Sequence, residues 1–475
     1  MKQREIGIIG LGVMGQNLAL NIAQNGYGVA AFDPWEKART GFAGLLQQED
    51  NRDLAPRITV ADDADAFLAS LASPRIILLM VKAGSPVDDL ITRLRPSLGS
   101  GDVVIDGGNS HYEDTIRRQA ELQQMCVHYI GLGVSGGYDG ARHGPSMMAG
   151  GDASAYRLVQ PIFESIAASF EGEACCAHVG MGGAGHFVKM VHNGIEYAIM
   201  QIIAEAYMVM RDVYHLDISW CSRIFSDWNE GPLGSYLMEI AARVLQQPDD
   251  LNEGGCLVEA ILDVAEQKGT GRWSVEAALK YGIPASTISE AVFARAMASQ
   301  KSQRVSAAAI LPGPDSQSAV VDCMSLKSLQ SAVFASVIVA YAQGFALIKA
   351  ATEQEQWGVE LASVAKVWRS GCIVRSKLLD AIVKAYEAEP DLGNLLCSDF
   401  FVPLLADCQN EWRTNARLCA EHAVAAPVMS AALSYYDGCR TARSSANMLQ
   451  GLRDCFGAHT YRRSDREGIF HTEWK

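Results

Sequence analysis

The sequence contains no CxxC pair, although it has twelve cysteines. Cys175 and Cys176 are adjacent, and the others are scattered singly through apolar segments. In a chain of 475 residues this pattern predicts buried, reduced thiols of a cytoplasmic protein and argues against a disulfide framework. Neither the cysteines nor the ten histidines show metal-ligand spacing, so no metal centre is expected. A basic surplus is missing too. The formal net charge is −14, the opposite of the surface that nucleic-acid binding requires. A local cluster of Arg and Lys can still hold a small anion inside an acidic protein. The most apolar region, 333–348, is short for a membrane span and carries Ser336, Tyr341, Gln343 and Gly344. It reads as a buried helix, and no membrane partner is expected. The strand-like Ile6–Ile9 comes so early that it leaves no room for a signal peptide.

What is present is an ordinary soluble composition, 49% hydrophobic and 20% charged, in a chain long enough for two or three domains. A short apolar run leads into Gly10-Leu-Gly12-Val13-Met14-Gly15, then a helical pattern, then Val29–Phe32 closing on Asp33. This is the dinucleotide fingerprint in its strand–turn–helix frame, with an acidic residue about 20 positions on. Its glycines permit the tight turn and close approach that let amides at the helix start hold a pyrophosphate. Gly180-Met-Gly182-Gly-Ala-Gly185 matches the same pattern, but a long helical pattern follows it instead of a second strand. It reads as a hinge and helix start. Between these motifs, the runs 75–81, 102–106 and 127–130 read as buried strands. They lead into the small polar loops Lys82-Ala83-Gly84, Gly107-Gly-Asn109-Ser110 and Gly133-Val-Ser135-Gly136-Gly137, at the ends where open α/β sheets bind ligands.

From Gly185 helical patterns dominate, at 200–212, 257–267, 274–279, 329–351 and 363–367. On a helix, Lys189, His192, Asn193 and Glu196 fall at i, i+3, i+4 and i+7, on one face. A base, an acid and two hydrogen-bonding groups on one rigid surface suit proton transfer at adjacent carbons. The bland alternative is a solvated helix face carrying a Lys–Glu pair. The final stretch is basic, with Arg440, Arg443, Arg453, Arg462, Arg463 and Arg466. It has too little apolar surface to fold alone, so it is either disordered or docked. The expected architecture is α/β plus all-α. A Rossmann-like coenzyme domain spans 1–182, a helical substrate and dimerisation domain 183–440, and a tail 441–475.

Together these motifs closely resemble decarboxylating 6-phosphogluconate dehydrogenases, over essentially the whole length. The coenzyme loop 10–17, the segments Val134–Gly137 and Lys189–Tyr197, and the stretches 268–271, 292–295 and 453–459 carry the likeness. The resemblance implies a homodimer whose tail completes the partner's site with Arg453 and His459. It implies an anionic sugar-acid substrate, Lys189 as base and Glu196 as acid. Asn109, Ser135, Gly136, Gly137, His192 and Asn193 would orient the carboxylate and hydroxyls. Tyr197, Lys268, Thr270 and Arg295 would hold the terminal anion. Gly10, Gly12, Val13, Met14, Gly15, Asp33, Pro34, Trp35, Val81, Lys82, Ala83 and Asn109 would bind the coenzyme. Members that use NADP usually carry Asn-Arg-Thr where this chain has Asp33-Pro34-Trp35. That departure points to NAD, with NADP the alternative. Ala198-Ile199 stands where Gly-Asp is usual. A sulfonated C6 analogue of gluconate is the runner-up substrate. The rival readings are a non-decarboxylating β-hydroxyacid dehydrogenase and a cofactor-binding sensor without catalysis.

Overall fold

Short β-rich apolar runs build the N-terminal half of the fold. The computed structural model describes residues 3–252, 254–265, 269–314 and 323–474. Its main sheet has eight strands: β1 (Ile6–Ile9), β2 (Val29–Phe32), β3 (Ile58–Val60), β4 (Ile76–Leu79), β5 (Val103–Asp106), β6 (His128–Ser135), β7 (Ser146–Gly151) and β8 (Cys176–Gly180), in the order β8-β7-β6-β5-β4-β1-β2-β3. β1 to β6 run parallel, with Ile6 beside Val29 and Gly7 beside Ile77. β7 reverses direction against β6, and β8 runs parallel to β7. Helices α1 (Val13–Gln24), α2 (Ser85–Leu94), α3 (Tyr112–Gln123) and α4 (Gly137–His143) follow β1, β4, β5 and β6. β1, β2, β4 and β5 are buried along their whole length, which is why their sequences are continuous apolar runs.

The helical half begins with α5 (Ala184–Met208), which continues through a π-turn at Val209–Val213. The patterns around Lys189 and at 200–212 are therefore one element. α5 is buried nearly all round: Phe187, Val188, Val191, Ile195 and Ile202 are fully shielded from solvent. Each such side chain contributes about 1.5–3 kcal/mol through burial, so α5 is the spine between the sheet and the later helices. Packed on it are α6 (Thr270–Tyr281), α7 (Ser286–Ser299), α8 (Cys323–Glu355) and α10 (Pro427–Cys439). α9 (Phe401–Glu421) packs along α8. The Glu205 carboxylate of α5 accepts the Val428 and Met429 N–H groups (2.9 and 2.9 Å) and so caps α10.

Three expectations change. The apolar region 333–348 is the middle of a helix long enough to cross a membrane, so length does not decide its place; most of its apolar window lies inside the fold. Its polar residues have partners there: Tyr341 donates to the Val374 carbonyl (2.6 Å), and Gln343 accepts from the Thr287 N–H (2.9 Å). Of the pattern at 257–267, the described residues 257–265 give only the single turn Leu257–Ala260. Ile261 and Leu262 are exposed there, and an amphipathic pattern without a surface to bury against does not hold a helix. Finally, Cys126, Cys397, Cys439 and Cys455 are exposed, not buried.

The tail, expected to be disordered or docked, is organised by contacts of its own. Among the described residues, the hydrogen bonds, ion pairs and ring contacts of residues 442–474 all stay within that stretch. Helix α11 (Ala446–Gly457) carries Asp454, whose side chain is shielded from solvent. Its carboxylate accepts the N–H groups of Thr460 (2.9 Å), Thr472 (3.0 Å) and the Trp474 indole (2.9 Å), and lies 2.9 Å from His471 Nδ1. Tyr461 and Phe470 close a bridge. Desolvation works to raise the Asp454 pKa, but the bonds from His471, Thr472 and Trp474 hold it down at about 2.

Candidate active site

The coenzyme-side cleft opens beyond β1 and β4, where the strand order reverses. After β1, Gly10 turns the chain at φ +105°, and a side chain there would strike the Met80 carbonyl. Gly15 abuts the Gly10 carbonyl so closely that no Cβ fits. Gly12 faces open space, and α1 begins without a side-chain cap, leaving its first N–H groups for an anion. Val13 and Met14 form that first turn.

Beyond β2, both carboxylate oxygens of the nearly buried Asp33 are engaged. Leu11 N–H donates to Oδ2 (2.8 Å) and Trp35 N–H to Oδ1 (2.9 Å). Gly10, Gly12, Asp33, Pro34, Trp35, Val81 and Lys82 share one cleft of about 530 Å³, with Asp89 and Arg93 also on its walls. Ala83 follows Lys82 in the same loop. Arg39 donates to the carbonyls of Asp33 (2.8 Å) and Pro34 (3.3 Å), which turns its guanidinium toward the backbone.

Asn109 stands in the loop after β5 at φ +54°, and its Oδ1 is buried with no hydrogen-bond partner. A buried acceptor without a donor is costly, which makes this atom a candidate ligand contact. An uncapped helix start, an anchored carboxylate after β2 and this orphaned amide fit a dinucleotide laid across the cleft.

Beside it, α5 crosses β6 and β7 at backbone contact. A Cβ on Gly133 would collide with Lys189, and one on Gly185 with the Gly131 carbonyl and Gly150 amide. Gly133 and Ser135 accordingly belong to β6, paired with Met148 and Ser146, and not to a loop. Gly136 (φ +108°) and Gly137 (φ +64°) turn β6 into α4.

The polar stripe of α5 lies under this crossing, with Lys189 and His192 buried and Asn193 and Glu196 half-buried. Lys189 Nζ donates to Asn193 Oδ1 (2.8 Å) and Ser135 Oγ (3.1 Å) and lies 3.3 Å from His192 Nδ1. Ser135 Oγ is 3.2 Å from His192 Nε2, and His192 Nδ1 is 3.8 Å from Glu196 Oε2. The Trp368 indole packs edge-on to the imidazole, 5.5 Å between centroids. Burial lowers the Lys189 pKa, against the opposing charge of Glu196. Burial first, and the Lys189 charge second, push His192 well below the ordinary imidazole value. Burial raises Glu196, while Lys189 and Arg295 work to lower it. An amine made easier to deprotonate and a carboxyl made easier to protonate, two turns apart on one face, can act as base and acid.

Tyr197 continues the helix next to Glu196. The Arg295 guanidinium lies 3.4 Å from its ring centroid, and Gly271 packs so tightly on the ring that a side chain would collide with it. Thr270 opens α6 beside Gly271. Tyr197, Thr270 and Arg295 therefore meet at one end of the stripe, whereas Lys268 lies outside the described residues. Arg453 and His459 are not brought there. Arg453 donates to Gln450 (3.2 Å), and the His459 ring meets Phe456, both within the tail.

The sequence reading missed a buried network behind Asn109. Asp106 Oδ2 accepts from Tyr129 OH (2.8 Å) and Arg118 (3.3 Å), and Asp106 Oδ1 accepts the Gly108 N–H (3.0 Å). The available signal was an Asp closing an apolar strand and an Arg inside the following helix.

The NAD binding domain model of 6-phosphogluconate dehydrogenase matches residues 5–180, and the model of the enzyme's C-terminal domain matches 185–474. A decarboxylating 6-phosphogluconate dehydrogenase of Shigella flexneri is 44% identical over 475 residues, covering 100% of both chains. Two Bacillus subtilis relatives are as near. The NADP(+)-dependent enzyme is 44% identical with 100% coverage of both chains, and the NAD(+)-dependent enzyme is 45% identical with 99% of each covered. Among solved structures, Plasmodium falciparum 6-phosphogluconate dehydrogenase superposes with a TM-score of 0.94 at 35% identity, over 99% of this chain and 100% of that one. With this likeness running from end to end, the chain belongs to the 6-phosphogluconate dehydrogenase family.

Proposed function

We propose that this protein oxidatively decarboxylates 6-phosphogluconate to a ketopentose phosphate and CO2. The observation that carries the reading is the buried Lys189 amine, held between Ser135 and Asn193 and sharing its helix face with Glu196. The nicotinamide of a bound dinucleotide would supply the hydride acceptor. Lys189, neutral at the outset, takes the proton of the C3 hydroxyl. The resulting β-keto acid loses CO2 because the C3 carbonyl accepts the electrons, and protonated Lys189 then faces the developing enolate oxygen. Glu196 delivers a proton to the carbon that lost CO2, the substrate's C2, which becomes C1 of the ketopentose. Ser135, His192 and Asn193 orient the hydroxyls and carboxylate, and Asn109 offers its free acceptor to the ligands. Tyr197, Thr270 and Arg295 receive the terminal phosphate. Turnover of 6-phosphogluconate with NAD and with NADP, reading CO2 as well as reduced coenzyme, tests this directly; CO2 release at background would overturn it.

NAD is the proposed coenzyme. Asp33 is fixed by Leu11 and Trp35, and each carboxylate oxygen keeps a second lone pair for a ribose hydroxyl. A 2′-phosphate there would face that fixed negative charge. A screened repulsion of ~1–3 kcal/mol favours NAD about five- to 150-fold.

A homodimer with shared sites is supported by the tail. α11 displays Met448, Leu449, Leu452 and Phe456 to solvent, and Arg453 and His459 stand free of the body. In this reading they enter the site of a second copy.

A further inference from the structure

Arg118 is 99% shielded, so its 1% exposure leaves it among the largest fully buried side chains of the fold, and the mechanism above does not use it. All five of its N–H donors find acceptors on two separate ligand loops. Toward the first loop, Nε and Nη2 grip Asp88 (2.8 and 3.0 Å), and Nη2 also donates to the Gly84 carbonyl (3.0 Å). Gly84 ends the Lys82–Gly84 loop on the coenzyme cleft, and Asp88 lies on α2, which the same loop introduces. Toward the second loop, Nη1 donates to Asp106 (3.3 Å) and to Ser110 Oγ (3.2 Å), on either side of Asn109.

Asn109 holds a left-handed backbone conformation, which asparagine tolerates better than other side chains and which its flanks enforce here. The Asp106 carboxylate on Gly108 N–H and the Arg118 guanidinium on Ser110 Oγ supply that enforcement on its two flanks. The Asn109 loop also packs directly on the chain that leads into Lys82: Gly107 N–H donates to the carbonyl of Leu79 at the end of β4 (2.9 Å), and a side chain on Gly108 would collide with the Val81 carbonyl. A rigid planar fork with five donors can clamp both at once, which a lysine cannot do.

We propose that Arg118 is a positioning residue that holds the Asn109 loop and the Lys82–Gly84 loop in one fixed register, so that coenzyme and substrate are presented to each other correctly. The inference rests on the reading of Asn109 as a ligand residue. It predicts that the two halves of the fork affect different kinetic constants. Ser110→Ala releases the Asn109 side and should lower kcat by about three- to tenfold, the worth of one hydrogen bond, with a smaller effect on the coenzyme KM. Asp88→Asn releases the other side and should raise the coenzyme KM by a similar factor with kcat unchanged. Arg118→Lys should do both.

The deciding experiment is a double-mutant cycle on the full-length protein with saturating 6-phosphogluconate. Asn109→Ala is measured first, and a neutral result there overturns the reading of Asn109 and the inference with it. With Asn109→Ala impaired, Ser110→Ala introduced into it should cost nothing more, because Ser110 and Arg118 act through Asn109. If the Ser110→Ala loss persists undiminished in that background, or if Asp88→Asn and Ser110→Ala alter chiefly the same constant, the positioning role is wrong. The Ser110 and Asp88 variants carry the test even if Arg118→Lys does not fold.

Discussion

The hydroxyl of Ser135 lies 3.1 Å from the amine of Lys189, so strand β6 and helix α5 meet through a polar contact in the middle of a glycine-lined crossing. That contact fixes the amine on a neutral hydroxyl and not on a counter-ion, and burial then favours its uncharged form. Lys189→Ala should abolish dehydrogenation, a loss of more than ~4 kcal/mol in transition-state stabilisation. Coenzyme affinity should stay within about threefold of wild type, because the dinucleotide groups lie on other elements. Steady-state turnover and a fluorescence titration with reduced coenzyme check both halves. Retention of a tenth of wild-type turnover would remove Lys189 from the role of base.

Glu196 works to keep the Lys189 proton on, opposing burial. Removing that charge by Glu196→Gln should therefore lower the Lys189 pKa further. The acid limb of the pH–kcat/KM profile, where Lys189 becomes protonated and inactive as a base, should move to lower pH. A limb that stays in place or moves up contradicts the assignment.

Coenzyme choice should follow the residues after β2. Wild type is expected to favour NAD by about tenfold or more in kcat/KM, and Asp33→Asn combined with Pro34→Arg to narrow or reverse that preference. A tenfold NADP preference in the wild type would sink the idea and direct attention to Lys82 or Arg93 on the cleft wall.

The tail can be tested apart from the chemistry. Asp454→Ala removes the acceptor that Thr460, Thr472 and Trp474 share, so it should loosen the tail while leaving the body folded. Activity and dimer content should fall together, with the main unfolding transition unmoved. In a separate experiment, mixing Arg453→Ala with Lys189→Ala subunits should restore part of the turnover. No recovery after verified subunit exchange would rule out a shared site.

Glu205 gives a stability prediction with an unusual sign. Burial raises its pKa to about 7 in the folded protein, against an unfolded carboxyl near 4.3. The folded state therefore binds the extra proton between these values, and the stability contribution declines as pH rises from about 4.3 to about 7. Denaturant titrations of wild type and Glu205→Gln across that window should show the wild type losing ground with rising pH. A difference that is flat, or that grows, would show that the folded carboxyl titrates normally.

Much of this was legible in the chain itself because the governing patterns are local. A βαβ frame around Gly10 and Asp33 needs only neighbouring residues to be read, and helical spacing put Lys189, His192, Asn193 and Glu196 on one face before any neighbour was known. The misreadings share a different origin. Gly133 and Ser135 looked like loop residues because glycine usually marks a turn, whereas here it marks the approach of a helix from 50 residues away. Arg118 looked like one charge among several on an amphipathic helix, since its acceptors come from two other segments. The tail looked unable to fold because apolar residues were counted, and its organising group is a carboxylate.

The crossing of α5 over β6 and β7 also says where inheritance can do harm. Gly131, Gly133, Gly150 and Gly185 touch backbone or side chain at the point where a Cβ would sit. Every missense change reachable from a glycine codon by one base adds a Cβ. None of these residues needs to meet substrate, yet any such change would prise the helix from the sheet and carry Lys189 away from Ser135. In a variant screen these four codons should be as intolerant as those of the reacting groups, and protein abundance alone would not reveal why.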